Sequence, residues 1–374
     1  MLAEADCLIA LNRLPNFGIA KVRSLRRAFG MLSEALAQPA ETIAALCKDI
    51  GPVLAAEAIA CAHSDFSREE RARAEAWKVR ILTAADPEWP AALEELPSPP
   101  LCLYCLGNLK RLAQPQVAMI GTRRATCYGR DQATRFALRL ASAGLVVTSG
   151  LAEGIDSASH EGALQATALE KPGRTIAVLG AALDCIYPDS RRPLARRIIH
   201  EGGLVISEYP FGRHADKNTF PQRNRLVAAL ARAILVIETA ARGGTLITVS
   251  QAEKLGRAIY AIPGSLNEPT FVGNHTLIAE GTAMLALSPE TLIEQTFSTL
   301  PLSTPAAGDA PLDDLSPDER RLYEVTTTEG LSTDQLAQRS GLPLPTVMAL
   351  LIALQMRRKL RPLPGGLVAR PPRL

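Results

Sequence analysis

The strongest constraint on the fold is an alternation between short apolar runs and segments of helical spacing, within residues 117–287. The apolar runs have the length and composition of strands that are buried on both faces. They comprise residues 117–120, 145–148, 175–179, 204–207, 233–237 and 258–262. The segments between them comprise residues 129–143, 157–169, 191–200, 224–231 and 245–255. This alternation predicts a parallel sheet covered by helices on both faces, a doubly wound α/β core.

Small and polar clusters follow nearly every predicted strand. They read GTRRAT (121–126), SGLAEGID (149–156), SEYPFG (207–212) and ETAARGGT (238–245). In doubly wound sheets, ligands bind beyond the carboxyl ends of the strands, where helix N-termini present free N–H groups. The first cluster is a candidate anion site, because Gly121 permits a tight turn, Thr122 offers a hydroxyl and Arg123 can bind an anion bidentately.

The same clusters argue against familiar nucleotide-binding motifs. No G-x-G-x-x-G follows the first strand, and no G-x-x-x-x-G-K-[ST] occurs in the chain. Dinucleotide chemistry and P-loop chemistry are therefore not expected. Asp156 stands where a helix N-cap is expected. His160 has no Cys or Ser partner in view, so we predict a structural role for it.

The stretch from residue 204 to residue 230 combines an apolar strand, a long polar loop and the start of a helix. The loop mixes cations, among them Lys217, with the aromatic residues Phe211 and Phe220. Single-stranded nucleic acids require this mixture, because cations meet phosphates and flat rings stack on bases. The composition is equally compatible with a solvated basic loop whose two rings lie in the core.

The flanking regions differ from the core in composition. Residues 1–77 are rich in helix-forming residues and predict a helical domain, whose two Gly-containing turns fit either helix-hairpin-helix modules or an ordinary docking domain. Residues 78–295 would form the core, and residues 296–312 a polar linker. Residues 313–374 predict a winged helix with a capping box at Ser316 and Glu319 and a wing that turns at Gly365 and Gly366. Such a domain serves DNA or protein partners.

Composition places further limits on the chain. The formal charge of +3 is too small to indicate nucleic-acid binding by itself. No apolar run approaches the roughly 20 residues of a membrane helix, and the N-terminus lacks a basic signal region. Seven scattered cysteines predict reduced thiols in a cytoplasmic protein. Cys102 and Cys105 have no partners for a metal site and are expected to be buried, on opposite faces of a strand. We expect no metal and no cofactor.

The chain resembles the DNA-processing protein A family (DprA, also called Smf) over almost its whole length. The resemblance rests on motifs in family order: AMIGTRRATCYG, VVTSGLAEGIDSASHEGAL, TIAVLGAALDCIYP, GGLVISEYPFG, NTFPQRNRLVAAL, GGTLITVSQAEKLGRAIYAIPG and GNHTLIAEGT. It implies a sterile-alpha-motif-like helical domain, an extended Rossmann core and a C-terminal winged helix. It also implies a homodimer that binds and protects single-stranded DNA and loads the recombinase RecA during natural transformation.

The resemblance also assigns site residues. The DNA-contacting arginine of the family corresponds to Arg123, and the lysine and stacking aromatic correspond to Lys217 and Phe220. The nucleic-acid-binding set that we predict is Gly121, Thr122, Arg123, Lys217, Phe220, Arg223, Asn224, Arg225, Gly244 and Thr245. The chain departs from the family pattern at Gly243-Gly244-Thr245, where S-G-S is common, and at Ala182, where the family has glycine.

Two other functions compete with single-strand binding. GGTLIT is similar to a turn in Rossmann-type nucleotide phosphoribohydrolases, in which a catalytic glutamate soon follows. Here the next acid is Glu253, so no carboxylate stands where general acid–base catalysis would need it, and we predict that the protein is not an enzyme. A regulator that binds duplex DNA through the winged helix would lose all DNA binding on removal of the residues after Thr296.

Overall fold

The computed structural model describes residues 3–166, 174–299, 315–327, 330–356, 359–363 and 366–370. The chain forms two compact units, residues 1–304 and residues 305–374. The predicted linker, residues 296–312, falls largely outside the described residues, although the helix before it continues to Phe297, which is fully buried.

In the part of the N-terminal region that the structure describes, six helices precede the sheet, and a helical region is what the composition predicts. They are α1 (Glu4–Leu11), α2 (Ile19–Phe29), α3 (Leu32–Ala35), α4 (Ala40–Leu46), α5 (Pro52–Ala62) and α6 (Phe66–Ala76). Gly18 and Gly51 of the two predicted turns stand at the N-caps of α2 and α5. The helices share one hydrophobic cluster with a face of the sheet, so they pack directly on the core.

A nine-stranded sheet forms the centre of the first unit. Its strands are β1 (Arg80–Leu82), β2 (Leu103–Gly107), β3 (Gln116–Gly121), β4 (Val146–Ser149), β5 (Thr175–Val178), β6 (Leu204–Ser207), β7 (Ala233–Glu238), β8 (Ala258–Ala261) and β9 (Met284–Leu285). The spatial order is β1-β2-β6-β5-β4-β3-β7-β8-β9. The strands from β3 to β9 pair in parallel, whereas β1 pairs with β2 and β2 pairs with β6 in antiparallel fashion.

Helices cover both faces of this sheet, which confirms the predicted doubly wound, Rossmann-like class. They are α7 (Cys127–Ser142), α8 (Ile155–Leu164), α9 (Arg192–His200), α10 (Thr219–Leu230), α11 (Gly244–Lys254), α12 (Val272–Ala279) and α13 (Pro289–Phe297). The strand period of two explains the burial. Val117 and Met119 of β3 enter one hydrophobic cluster, while Ala118 and Ile120 enter another. Cys102 and Cys105 are likewise buried in two different clusters.

The predicted helix at residues 224–231 begins earlier than expected. It starts at Thr219, and Pro221 lies in its first turn, where the missing N–H is not required. The Asp216 carboxylate accepts the main-chain N–H groups of Asn218 and Thr219 at 2.7 and 3.1 Å and fixes the chain just ahead of the helix.

The second unit has the elements of a winged helix. These are α14 (Pro317–Val325), β10 (Leu331–Ser332), α15 (Thr333–Ser340), α16 (Leu344–Met356), β11 (Arg361–Leu363) and β12 (Leu367–Ala369), with a small antiparallel sheet in the order β10-β12-β11. The predicted capping box at Ser316 and Glu319 is present. Gly366 of the predicted wing turn has a φ of 73°, whereas Gly365 lies outside the described residues.

In the described parts of the chain, no single helix is long and apolar enough to cross a bilayer. The helices α15 and α16 form a bent pair that, taken together, has the length and the apolar composition of a membrane span.

Candidate nucleic-acid interface

A cavity of about 410 Å³ opens at the carboxyl ends of the central strands. It lies where the strand order reverses, because β3 is flanked by β4 on one side and by β7 on the other. Its walls come from the ends of β3, β4 and β7 and from the first turns of α10 and α11. Doubly wound folds place their ligands at this topological switch point.

The floor of the cavity is the guanidinium of Arg223, whose residue is only 5% exposed. Arg223 donates to the main-chain carbonyls of Gly150 and Val178, which follow or end two adjacent strands. Beside it, the Asp156 carboxylate accepts the N–H groups of Gly150 and Ala152, both at 3.2 Å. Burial raises the pKa of Asp156 against the opposing charge of Arg223, and burial lowers the pKa of Arg223.

Glycine at position 150 is required by this floor. A Cβ on Gly150 would lie 2.4 Å from Nη1 of Arg223, so any side chain there would displace the guanidinium.

Asp156 is not the N-cap that the sequence predicts. Gly154 is the N-cap of α8, and Asp156 lies inside the first turn, where its carboxylate binds the preceding loop.

The loop after β3 forms the first wall. A Cβ on Gly121 would lie 2.5 Å from Cγ1 of Ile155, so glycine permits α8 to approach the strand end. The main-chain N–H of Thr122 donates to the carbonyl of Glu238, the last residue of β7, at 2.8 Å. The Thr122 hydroxyl accepts the N–H of Arg124 at 3.1 Å. These bonds fix the backbone and leave the side chains of Arg123 and Arg124 exposed at the cavity.

Phe220, in the first turn of α10, supplies an aromatic surface. The Cζ atom of Arg123 lies 5.0 Å from the centre of the Phe220 ring, a cation–π contact. The ring also comes close to Gly180, where a Cβ would lie 3.0 Å from Cδ1 of Phe220. A half-buried ring beside an exposed guanidinium offers a stacking surface next to a positive charge.

The opposite wall is the start of α11. Gly244 and Thr245 open this helix, and the side-chain amide of Asn224 donates to the carbonyl of Gly244 at 3.4 Å. The first turn of a helix has main-chain N–H groups without helical partners, which favour an anion. Arg242, which is exposed, precedes the helix and also lines the cavity.

Eight of the ten predicted site residues line this one cavity. They are Gly121, Thr122, Arg123, Phe220, Arg223, Asn224, Gly244 and Thr245. The other two lie elsewhere. Lys217 is exposed in the loop three residues before Phe220, and Arg225 pairs with Glu208 in a largely buried ion pair. Phe211, the second ring of the predicted loop, is buried and packs edge-on against Tyr104 at 5.8 Å.

The sequence-based set omits several residues of the cavity. Arg124 and Arg242 are its two further exposed cations, and Asp156 is its carboxylate among the described lining residues. Both arginines stand in the polar clusters that follow β3 and β7. Treating every cation in those clusters as a candidate would have found them.

The arrangement suits a polyanion that also carries flat rings. Four arginines line the cavity, and its one carboxylate among the described lining residues is engaged by main-chain N–H groups. Among the described residues, no group of three or more His, Cys, Asp or Glu is placed to hold a metal ion.

Comparison with known proteins places this geometry in a family. Residues 80–297 match the model of DNA recombination-mediator protein A, and residues 305–366 match the DprA winged helix domain. A putative DNA processing protein DprA of Mycobacterium tuberculosis is 35% identical over 346 residues, covering 84% of this chain and 87% of the relative. Protein Smf of Escherichia coli is 34% identical over 296 residues, covering 77% and 76%.

Solved structures agree with the sequence comparison. The structure of DprA from Streptococcus pneumoniae superposes with a TM-score of 0.63 at 30% identity and covers 78% of this chain and 96% of that one. A Helicobacter pylori DprA structure, described as showing a single-stranded DNA binding mode, gives a TM-score of 0.53 at 31% identity and covers 60% and 97%. The chain therefore belongs to the DprA/Smf family of DNA recombination mediators.

Proposed function

We propose that this protein binds single-stranded DNA in the switch-point cavity and acts as a recombination mediator. The observation that carries the proposal is the placement of exposed arginines around the Phe220 ring in one cavity. Phosphates would meet Arg123, Arg124 and Arg242, while a base stacks on Phe220. The related Helicobacter pylori protein, whose structure is described by its single-stranded DNA binding mode, supports this choice of ligand.

The biological role that we propose follows the family. The protein would protect incoming single-stranded DNA in the cytoplasm and load RecA onto it during natural transformation. It would do so as a homodimer. Exposed apolar side chains on and directly after edge strand β9, namely Met284, Leu285 and Leu287, support a self-association surface there. Edge strands with exposed apolar residues favour pairing with another chain.

Binding without catalysis fits the cavity better than an enzymatic function. A phosphoribohydrolase needs a carboxylate that is free to exchange protons with its substrate. Asp156 is buried under two N–H donors beside Arg223, and Glu253 does not line the cavity. We therefore propose that the site performs no hydrolysis. Release of ribose phosphate from nucleoside monophosphates well above the blank would contradict this.

A salt titration tests the proposed binding site. Single-strand affinity should fall with salt, with a log–log slope of about −0.7 per phosphate neutralised. Replacing Arg123 or Lys217 by alanine should weaken binding and make the slope shallower by about 0.7 each. Arg232→Ala is a matched control, because Arg232 is exposed and directly precedes β7, at the opposite end of that strand from the cavity.

The outcomes separate the two residues. An unchanged slope in Arg123→Ala would remove the cavity from the contact surface. An unchanged slope in Lys217→Ala alone would show that the DNA phosphates contact the cavity and not the loop that carries Lys217. A slope that changes equally in Arg232→Ala would show that binding is a diffuse effect of surface charge.

A further inference from the structure

A second, smaller cavity adjoins the first, and Phe220 lines both. It has a volume of about 220 Å³ and shares four lining residues with the larger cavity, namely Arg123, Gly150, Ala152 and Phe220. Its remaining walls are Glu153, Tyr187 and Pro188. The volume is below the roughly 300–1,000 Å³ of sites for drug-sized ligands, so it suits one ring-sized group.

Tyr187 is the distinctive feature of this second cavity. Its residue is 59% exposed, and its ring lies 6.0 Å from that of Phe220 at an interplanar angle of 51°. The two rings are therefore neighbours but are not stacked on each other, and the ring of Tyr187 keeps an exposed surface. Aromatic residues make up only 4% of the chain, so two adjacent accessible rings beside an arginine are an unusual concentration. Side-by-side rings along a basic groove are the means by which proteins hold successive unpaired bases.

Glu153 determines which part of a nucleotide can enter. Its carboxylate is exposed at the cavity and accepts a hydrogen bond from the Ser190 hydroxyl at 3.4 Å. A carboxylate repels phosphate and accepts hydrogen bonds only, so it favours a base edge that carries amino donors, such as N4 of cytosine. Thymine has no exocyclic amino group, and its single donor, N3–H, stands between two carbonyl oxygens that a carboxylate repels.

We propose that Tyr187 and Glu153 form a second base subsite, adjacent to the one at Phe220. The inference rests on the proposed function and extends it, since a strand bound at Phe220 would place a neighbouring base on Tyr187. Tyr187 provides the stacking surface, and Glu153 provides a preference for cytosine, adenine or guanine over thymine.

Affinity measurements on Tyr187 variants test the stacking part. Fluorescence anisotropy with a labelled oligo-dC at fixed salt would compare the wild type with Tyr187→Ala, Tyr187→Leu and Tyr187→Phe. Loss of one stacked base weakens binding by about 5- to 150-fold, and this is expected for alanine. Leucine keeps most of the bulk beside Phe220 but no ring, so it should also weaken binding, whereas phenylalanine should stay within about twofold of the wild type.

Tyr128→Ala is the matched control for this series. Tyr128 is 45% exposed, packs on Phe271 and lines neither cavity, so its removal should leave the affinity unchanged. Equal affinities of wild type, Tyr187→Ala and Tyr187→Leu would overturn the subsite. So would an equal loss in Tyr128→Ala. If the wild type itself fails to bind oligo-dC, the proposed function fails instead, and a loss in Arg123→Ala with no change at Tyr187 refutes the subsite alone.

Base preference tests the role of Glu153. The wild type should bind oligo-dC at least about threefold more tightly than oligo-dT, because the N4 amino group of cytosine can donate to the charged carboxylate, whereas the N3–H of thymine lies between two carbonyl oxygens that a carboxylate repels. In Glu153→Gln, whose amide both donates and accepts, this ratio should fall towards one. A ratio that is the same in both proteins would remove Glu153 from the subsite.

Discussion

Burial of His160 on α8 makes the first unit sensitive to acid in a way that can be measured. The Nδ1 atom of His160 lies 2.6 Å from the Thr175 hydroxyl, and that hydroxyl donates to the carbonyl of Val147 at 2.6 Å. Because a hydroxyl has only one proton, the Nδ1 atom of His160 must be the donor in this pair. Burial, followed by the charge of Arg223, lowers the pKa of His160 from 6.5 to about 3.

The sign and size of the effect follow from linkage. The folded-state pKa is depressed, so the contribution of His160 to stability is fully present above the unfolded pKa and is lost as the pH falls below it. Between the two pKa values the unfolded chain binds one more proton than the native chain, which costs about 1.4 kcal/mol per pH unit. Lowering the pH from about 7.5 to about 5 should therefore remove about 2 kcal/mol of unfolding free energy through His160 alone.

Urea unfolding at the two pH values measures this loss. Both tryptophans, Trp77 and Trp89, lie in the first unit, so tryptophan fluorescence reports on that unit. The control is His160→Asn, whose amide can replace the Nδ1–H donor to Thr175 but cannot titrate. Other titrating groups contribute equally to both proteins. The unfolding free energy of the wild type should therefore fall by about 2 kcal/mol more than that of His160→Asn when the pH is lowered. Parallel pH profiles for the two proteins would refute a neutral, buried His160.

The remaining predictions concern the cavity floor and the second unit. Arg223→Met should lower the unfolding free energy by roughly 3–5 kcal/mol, because it leaves the buried Asp156 carboxylate without its cation, whereas the exposed Arg123→Met should change stability little. Urea unfolding would show the difference, and equal effects of the two substitutions would contradict the burial of Arg223. Truncation after Thr299, which keeps Phe297 and all of α13, should leave single-strand affinity within about threefold of the full chain, since none of the described residues that line the cavity lies beyond Thr248. Loss of binding in a gel-shift assay of this truncated chain would assign the ligand to the winged helix instead.

Much of the fold was predictable because periodicity encodes it. The six apolar runs of the core correspond to β3 to β8, and the polar clusters after them meet at one edge, as parallel pairing requires. The helix α10 starts at Thr219, ahead of the predicted residue 224, and its first turn contains Pro221, which is tolerated there.

The fate of individual side chains was less predictable. Phe211 and Phe220 share a basic loop in the sequence, but Phe211 is buried because Tyr104, from a distant segment, packs against it. Arg223 and Arg225 flank one asparagine, yet each is engaged by groups inside the fold, a main-chain carbonyl of Gly150 in one case and the Glu208 carboxylate in the other. Such pairings join residues far apart in the chain, and local sequence carries no signal for them.

One contact between the N-terminal helices and the core has a consequence for the family. The buried carboxylate of Glu70, on α6, accepts the main-chain N–H of Phe211 at 2.8 Å. That bond anchors the segment leading to Lys217 and Phe220 to a helix that precedes the sheet. The N-terminal helices thus hold in place a loop that is distant in the sequence. A relative that lacks these helices must stabilise the equivalent loop through other contacts.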